Sequence, residues 1–360
     1  MFKLGPVLKY FFLLIFIVSI IASILFFKNG GLAAALFKPV SVVSKVFTAQ
    51  DIKSTDGRTN ILVLGLDQRS PGSTQGGVLT DTIMVVSIGD NNSNTVMVSI
   101  PRDLWVDEID EKINALYAWN YFPYEGRGRD VKKVQEKVEE ILGIPIHYTA
   151  LVGFSAFKDA ITAVDGLDIE VDEAFVDHLY PVEGMENAIP ESSRYMTVRF
   201  EKGMQTMDGE KALQYARSRH SENFNEAGDF ARARRQQKVL VALKDEILSS
   251  ETLLNPSKIS ELYEAYKQNV ETDISLSEIL YFYDMVGSTK NLNVKKIVLS
   301  NELKNPNILG SGMLESPTEE EREQFYSGKY VLVPTGRTFE AIKTLVRSYL
   351  FCDDSQAECK

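Results

Sequence analysis

The residues best suited to chemistry lie between Gly209 and Gln237, a cation-rich stretch within an acidic chain of net charge -11. Its cationic side chains are Lys211, Arg217, Arg219, Arg232, Arg234 and Arg235. Guanidinium groups match phosphate oxygens in geometry, so a phosphate or diphosphate is the natural ligand of such a cluster. The same composition also fits a solvated basic face with ordinary surface ion pairs.

The first half of this stretch predicts a helix that begins at Asp208 or Gly209. Arg217 and Arg219 follow near the end of that helix. If the backbone there is extended, residues two apart point to the same side, and both guanidinium groups would face one ligand.

The second half predicts another helix, with Asp229 as its N-cap. Arg232 and Gln236 then share one face of that helix. The two halves together would bring three arginines and an amide to one place. A helix N-terminus beside them would itself favour an anion.

A second group of candidate residues follows apolar runs nearer the start of the chain. Three consecutive strands are predicted within residues 61–70, 82–89 and 95–103, the last two forming a hairpin. Asp67 and Arg102 lie at the carboxyl ends of their strands, and Asp81 lies at the start of its own. Antiparallel pairing would bring all three to one sheet edge, where two carboxylates and an arginine suit a divalent cation with a phosphate ligand. The alternative is that each aspartate simply caps a loop.

Apolar periodicity also predicts the elements that would position these residues. Further strands are expected at residues 147–152, 167–171, 195–200, 294–299 and 330–333, and helices at 112–122, 131–142, 154–164, 256 onward, 275–286 and 340–350. Residues 172–194 are expected to form an irregular surface segment, and residues 319–323 a solvated helix start. The alternation of strands and helices predicts a layered α/β fold.

The N-terminal region contains an uncharged apolar run, residues 10–27, between Lys9 and Lys28. As a helix it would span about 27 Å, close to the roughly 30 Å hydrocarbon core of a bilayer. It therefore predicts an uncleaved transmembrane anchor with the large domain outside the cell. A cleaved signal peptide is the alternative, with a cleavage site near residues 30–35.

Composition excludes several other classes of function. Residues 51–360 carry 34 basic and 50 acidic groups, which argues against nucleic acid as a partner. The three histidines, at positions 147, 178 and 220, lack the spacing of zinc ligands. Cys352 and Cys359 could form a small-loop disulfide in an oxidising compartment or remain two free thiols.

The order of short motifs resembles the LytR-CpsA-Psr family of membrane-anchored cell-envelope phosphotransferases. The matching segments are GLDQR (65–69), TDTIMV (80–85), IPRD (100–103), KINALYA (112–118), GFSAFKDAITAVDGLDIEV (153–171), MDGEKALQYARSRH (207–220) and DFARARRQQ (229–237). The resemblance covers roughly residues 59–250 and implies an α/β fold with a central mixed β-sheet flanked by helices.

The resemblance also implies an activity and its partners. Such enzymes move a glycopolymer with one phosphate from a polyprenyl-diphosphate carrier to a hydroxyl of peptidoglycan, and polyprenyl phosphate leaves. Asp67 and Asp81 would hold Mg²⁺ on the diphosphate. The implied contacts to its oxygens come from Arg102, Arg217, Arg219 and Arg232, with Lys112 and Gln236 as further polar contacts and Arg69 and Asp103 beside them. Phosphoryl transfer depends mainly on such positioning and charge neutralisation.

These expectations divide the chain into segments. They are a cytoplasmic tail (1–9), a transmembrane anchor (10–28), a linker (29–58), the catalytic domain (59–250), a C-terminal extension that completes it (251–350) and a tail (351–360). The expected location is the cell membrane, with a single pass and an extracytoplasmic catalytic domain. Two other functions remain open: a pyrophosphatase acting on the lipid diphosphate, and a non-catalytic anchored envelope scaffold or attenuator.

Overall fold

The computed structural model describes residues 52–67, 79–89, 94–121, 131–275, 277–279, 281–282, 294–306 and 308–351. The predicted anchor, Arg69, Cys352 and Cys359 lie outside these residues, as does the side chain of Asp67. No helix among the described residues is both long enough and apolar enough to cross a bilayer. The chain forms two compact units, Met1–Ile52 with Ser275–Ser288, and Lys53–Ile274 with Thr289–Lys360.

The second unit contains all the strands and helices named below. Its strands are β1 (Arg58–Asp67), β2 (Leu79–Gly89), β3 (Thr95–Ile100), β4 (Trp105–Val106), β5 (Glu111–Lys112), β6 (Tyr148–Gly153), β7 (Leu167–Val171), β8 (Phe175–Pro181), β9 (Tyr195–Phe200), β10 (Gly203–Met207), β11 (Val270–Thr272), β12 (Val294–Val298), β13 (Leu314–Glu315) and β14 (Val333–Pro334). Its α-helices are α1 (Val131–Leu142), α2 (Phe154–Ala163), α3 (Gly209–Arg217), α4 (Gly228–Ile247), α5 (Ser250–Leu253), α6 (Pro256–Asn269), α7 (Glu319–Phe325) and α8 (Glu340–Phe351).

Six strands form the central sheet, in the order β11-β6-β1-β2-β3-β12. The sheet is mixed, because β1 pairs antiparallel with β2 and parallel with β6, while β3 pairs antiparallel with β2 and parallel with β12. The predicted hairpin of β2 and β3 is therefore confirmed, and so is the α/β fold with a mixed sheet. Every residue of β3 is buried, as expected for a strand covered on both faces.

Two apolar clusters hold these elements together. The first joins the sheet, through Leu62 and Val98, to α1 and α8, through Val138 and Val346. The second joins α2, α3 and α4 to the short strands β7, β8, β9 and β10. Helix α3 lies very close to α2: a Cβ at Gly209 would be 2.4 Å from the carbonyl oxygen of Lys158. Only glycine permits this approach, which places the end of α3 beside the start of α2.

Several predicted elements were wrong in type or partner. Residues 113–121 form a 3-10 helix after β5, instead of an α-helix over 112–122. The segment predicted to be irregular, 172–194, contains β8, which pairs antiparallel with β9. Strand β7 pairs with β10 in a separate two-stranded sheet and is not part of the central sheet. Only Val333 of the predicted strand 330–333 belongs to a strand, β14.

Candidate active site

The site begins at a β-bulge where β1 meets β2. Gly65 pairs with Thr82 and Leu66 pairs with Thr80, so Asp81 is an extra residue on β2. Bulges of this kind are common next to active sites, where they change the direction in which a side chain points. A side chain at Gly65 would clash, because its Cβ would lie 2.7 Å from the Cβ of Thr82. The start of β2 and the carboxyl ends of β1 and β3 share one sheet edge, as predicted.

Arg102, just after β3, links three carboxylates. Its Nη1 donates to Asp81 Oδ2 at 2.8 Å, and its Nε donates to Asp229 Oδ2 at 3.3 Å. The same Nε lies 3.8 Å from Asp103 Oδ2. Burial opposes the charge of Arg102, but the three carboxylates outweigh it and raise the pKa of the guanidinium above its ordinary value. Asn114 donates to the other oxygen of Asp81 at 3.3 Å, so both carboxylate oxygens have partners.

Arg232 reaches the same place from the first turns of α4. Its Nη1 lies 3.1 Å from Asp229 Oδ1, and its Nη2 donates to the backbone oxygen of Asp81 at 3.2 Å. Asp229 was predicted to be the N-cap of this helix, and that prediction was wrong. The N-cap is Ala227, and Asp229 lies in the first turn with its carboxylate between two arginines. Burial would raise the pKa of Asp229, but Arg232 and Arg102 hold it below its ordinary value.

Arg217 and Arg219 are held differently. Helix α3 begins with Asp208 as its N-cap, as predicted, and ends at Arg217. The Arg217 guanidinium carbon lies 3.9 Å from the centre of the Phe154 ring, which is a cation–π contact. Among the described residues, no carboxylate lies within 4.0 Å of a guanidinium nitrogen of Arg217 or Arg219. Their charge is therefore available to an anion.

A buried carboxylate on β8 fixes the backbone that carries Arg219. Asp177 is 1% exposed, and its Oδ2 accepts the backbone N–H groups of Arg219 and His220 at 3.0 and 3.2 Å. Its Oδ1 accepts the N–H of Leu179 at 2.9 Å. The extended segment after α3 is thus tied to β8.

One cavity of about 510 Å³ brings most of these side chains together. The predicted site residues among those lining it are Asp81, Arg102, Arg217, Arg219, Arg232 and Gln236. The predicted convergence of Arg217, Arg219, Arg232 and Gln236 is therefore what the structure shows. Their roles toward a substrate stay predictions.

Lys112 and Asp103 lie beside this group and contact each other. The Lys112 Nζ donates to Asp103 Oδ1 at 2.6 Å, and neither residue is among those lining the cavity. Asp103 thus connects Lys112 to the ion pairs of Arg102. Contacts from Lys112 or Asp103 to a substrate remain predicted.

The other cations of the stretch stabilise the fold. Arg235 is 2% exposed, donates to the carbonyl oxygens of Tyr215 and Ser218, and pairs with Glu226 at 2.6 Å. Arg234 pairs with Glu302, and Lys211 donates to the carbonyl of Arg199. The alternative of ordinary surface ion pairs therefore fits Arg234, whereas Arg235 is buried and Lys211 donates to a backbone carbonyl.

The carboxylates at this edge could contribute ligands to a Mg²⁺ site. No group of three or more His, Cys, Asp or Glu side chains suited to a metal occurs in the described part of the chain. Asp67 pairs with Leu79 in the β1–β2 register, which places it at the same edge as Asp81. Mg²⁺ is usually held by one or two carboxylates together with substrate phosphates and water, so this pair fits a site completed by a diphosphate.

A comparison with known families decides where the chain belongs. The LytR_cpsA_psr family model matches residues 34–329. The chain is a member of the LytR-CpsA-Psr family. A relative from Bacillus subtilis (strain 168), the polyisoprenyl-teichoic acid–peptidoglycan teichoic acid transferase TagV, is 32% identical over 256 residues. That match covers 69% of this chain and 58% of TagV.

Two further relatives extend the comparison. The cell wall biosynthesis protein LcpA of Corynebacterium glutamicum is 31% identical over 261 residues, covering 62% of this chain and 46% of LcpA. The regulatory protein MsrR of Staphylococcus aureus is 30% identical over 265 residues, covering 72% of this chain and 70% of MsrR. This LytR-CpsA-Psr protein therefore spans about half the length of TagV and LcpA.

Solved structures agree with the fold. The crystal structure of B. subtilis TagV superposes with a TM-score of 0.54 at 27% identity, covering 82% of this chain and 98% of that one. TagT bound to LI-WTA superposes with a TM-score of 0.52 at 23% identity, covering 83% and 94%. The similarity to TagT is evidence for a shared fold alone.

Sequence reasoning missed three residues that shape the site of this LytR-CpsA-Psr protein. They are Asn114, Phe154 and Asp177. Asn114 did stand out as a polar residue among apolar neighbours, and that was a usable signal. Phe154 was read only as the start of a helix, and Asp177 fell in the segment read as irregular.

Proposed function

We propose that this protein transfers a glycopolymer with one phosphate from a polyprenyl-diphosphate carrier to a hydroxyl of peptidoglycan, releasing polyprenyl phosphate. One observation carries the proposal. Arg217 and Arg219 line the same cavity as Asp81 and Arg102, yet within the described residues no carboxylate pairs with either of them. Family membership and the activity of TagV, a teichoic acid transferase, support the same reaction class.

The chain's own residues would act mainly by binding and charge neutralisation. Arg102, Arg217, Arg219 and Arg232 bring four guanidinium groups to the cavity, matching the oxygens of a diphosphate. As the bond between the two phosphates breaks, negative charge grows on the leaving phosphate. Fixed guanidinium groups stabilise that charge without reorganising.

Asp67 and Asp81 are proposed to hold Mg²⁺ together with the diphosphate. When bound, Mg²⁺ would neutralise phosphate charge beside the arginines. Asp81 accepts one hydrogen bond on each oxygen, from Arg102 and Asn114, which leaves lone pairs for a metal. Gln236 lines the cavity and is proposed as a further polar contact to the donor.

Location is part of the proposal. Residues 10–28 are proposed to anchor the protein in the cell membrane with a single pass. The catalytic domain would then face the outside of the cell, near both the carrier lipid and the peptidoglycan. This arrangement rests on the length of the apolar run and its flanking lysines.

The test uses the full-length protein in vesicles that contain a polyprenyl-diphosphate glycan, with a soluble peptidoglycan oligosaccharide and either Mg²⁺ or EDTA. A phosphodiester-linked glycan on the oligosaccharide, formed with Mg²⁺ and absent with EDTA, is the expected product. Arg347→Lys on α8, where the side chain is exposed, serves as the control and should leave transfer unchanged. Release of the phosphorylated glycan into water would instead indicate a pyrophosphatase. Binding with neither product would indicate a scaffold.

A further inference from the structure

His220 lies directly after Arg219 and lines the same cavity. Its side chain is 39% exposed, so the imidazole is accessible from solvent. Asp177 holds this residue in place: the backbone N–H of His220 donates to Asp177 Oδ2 at 3.2 Å, and the ring Nδ1 lies 4.0 Å from Asp177 Oδ1. The imidazole therefore has a fixed position next to the arginines.

Charged groups from four elements surround the imidazole. Arg219 is its neighbour in sequence, Asp177 comes from β8, Asp229 from α4 and Arg102 from the end of β3. Burial and then Arg219 lower the pKa of His220 below its ordinary value, while the two carboxylates oppose them. A lowered pKa favours the neutral ring, which has a nitrogen lone pair that can accept a proton.

Other titratable groups on the cavity are less suited to accept a proton. The arginines stay protonated throughout the physiological range. Asp81 already accepts from Arg102 and Asn114, and Asp177 accepts three backbone N–H groups. Glu183, Glu186 and Glu191 also line the cavity and are the rival proton acceptors.

We propose that His220 accepts the proton of the attacking carbohydrate hydroxyl, an inference that rests on the proposed function. The hydroxyl oxygen forms a bond to the glycan-bearing phosphorus, and the bond from that phosphorus to the bridging oxygen breaks. The electron pair leaves on polyprenyl phosphate. The proton moves from the hydroxyl to an imidazole nitrogen and then to solvent.

The test compares His220→Gln with a matched control, His178→Gln. His178 lies on β8 directly after Asp177 and contacts Thr197 and Glu222. It is not among the residues lining the cavity. Transfer kcat/KM is measured from pH 5 to 8, with donor affinity in parallel.

In the wild type, kcat/KM should fall as the pH drops through the pKa of His220, because the protonated ring cannot accept a proton. The His220→Gln variant should lose about a hundredfold in rate and lose this acid limb, with donor affinity unchanged.

A second variant distinguishes the loss of the imidazole from misfolding. In His220→Ala, added imidazole should restore part of the rate, which a purely structural role would not produce. An unchanged acid limb in His220→Gln or loss of donor affinity alone would overturn the role of His220 while leaving transfer intact. Removal of the limb by Glu183→Gln, Glu186→Gln or Glu191→Gln would overturn it as well. If the wild type transfers no glycan at all, the proposed function fails and the role of His220 fails with it.

Discussion

Arg102 and Arg232 are surrounded by carboxylates, whereas Arg217 and Arg219 are held by an aromatic ring and by backbone contacts. The first pair balances charges within the protein and ties α4 to the sheet edge. The second pair brings positive charge to the cavity without a carboxylate within 4.0 Å in the described part of the chain. One cluster of arginines thus contains both an ion-pair network and two arginines that we propose bind an anion. Substitutions can separate the two.

The largest effect is expected from Arg232→Met, on stability. Arg232 is 8% exposed, and its removal leaves Asp229 with a buried, partly uncompensated charge. Breaking one partner out of a buried ion pair costs about 3 kcal/mol or more in free energy of unfolding. Urea denaturation followed by circular dichroism measures the change. Arg219→Met, the matched variant from the other pair, should change stability by less than about 1 kcal/mol.

A double variant sharpens this expectation. Combining Arg232→Met with Asp229→Asn removes the orphaned charge, so the pair should lose less stability than the sum of the two single losses. Simple additivity would mean that Arg232 and Asp229 do not form the structural network inferred here.

Asp81→Asn comes next, because Asp81 serves both the network and the proposed metal. Loss of a charge-assisted contact costs about 2 kcal/mol, which corresponds to roughly thirty-fold in transfer rate. We expect the Mg²⁺ concentration for half-maximal activity to rise at the same time. Asp245→Asn, at a side chain 63% exposed, is the control. An undiminished rate with an unaltered Mg²⁺ response would rule out the proposed role of Asp81.

Arg217→Lys and Arg219→Lys test the two arginines that contact no carboxylate among the described residues. Lysine keeps the charge but loses the planar fork, so transition-state contacts suffer more than simple attraction. A fall in kcat of about tenfold, or about 1.4 kcal/mol, is expected with donor affinity nearly unchanged. If both variants lose affinity alone, the cavity binds phosphate without acting on it, and the scaffold becomes the better interpretation.

The smallest effect is expected for Phe154→Leu. This change keeps an apolar side chain but removes the ring beneath the Arg217 guanidinium. A cation–π contact at a partly exposed site contributes about 0.5–1 kcal/mol, so transfer should slow by about two- to fivefold. Steady-state kinetics with the same donor measures it. A larger loss than that of Arg217→Lys would show that Phe154 has another role.

The sequence by itself determined the local features of this protein. Apolar periodicity located β1, β2 and β3 and their hairpin, because strand pairing between neighbours depends on nearby residues. The edge carrying Asp81 and Arg102 followed from antiparallel pairing alone. The helix that begins after Asp208 was also predicted from the sequence. The order of short motifs was enough for the family, which the comparison then confirmed.

Only the tertiary structure decided which cations are paired and which face the cavity. Asp229 lies 127 residues from Arg102, and Asp177 lies 42 residues from Arg219. Contacts at such separations depend on how α4 and β8 pack on the rest of the chain, which no local pattern specifies. Within one run of similar residues, Arg235 is therefore buried in contacts within the fold, while Arg219 lines the cavity. Charge and spacing defined the candidates, but burial and distant carboxylates assigned their partners.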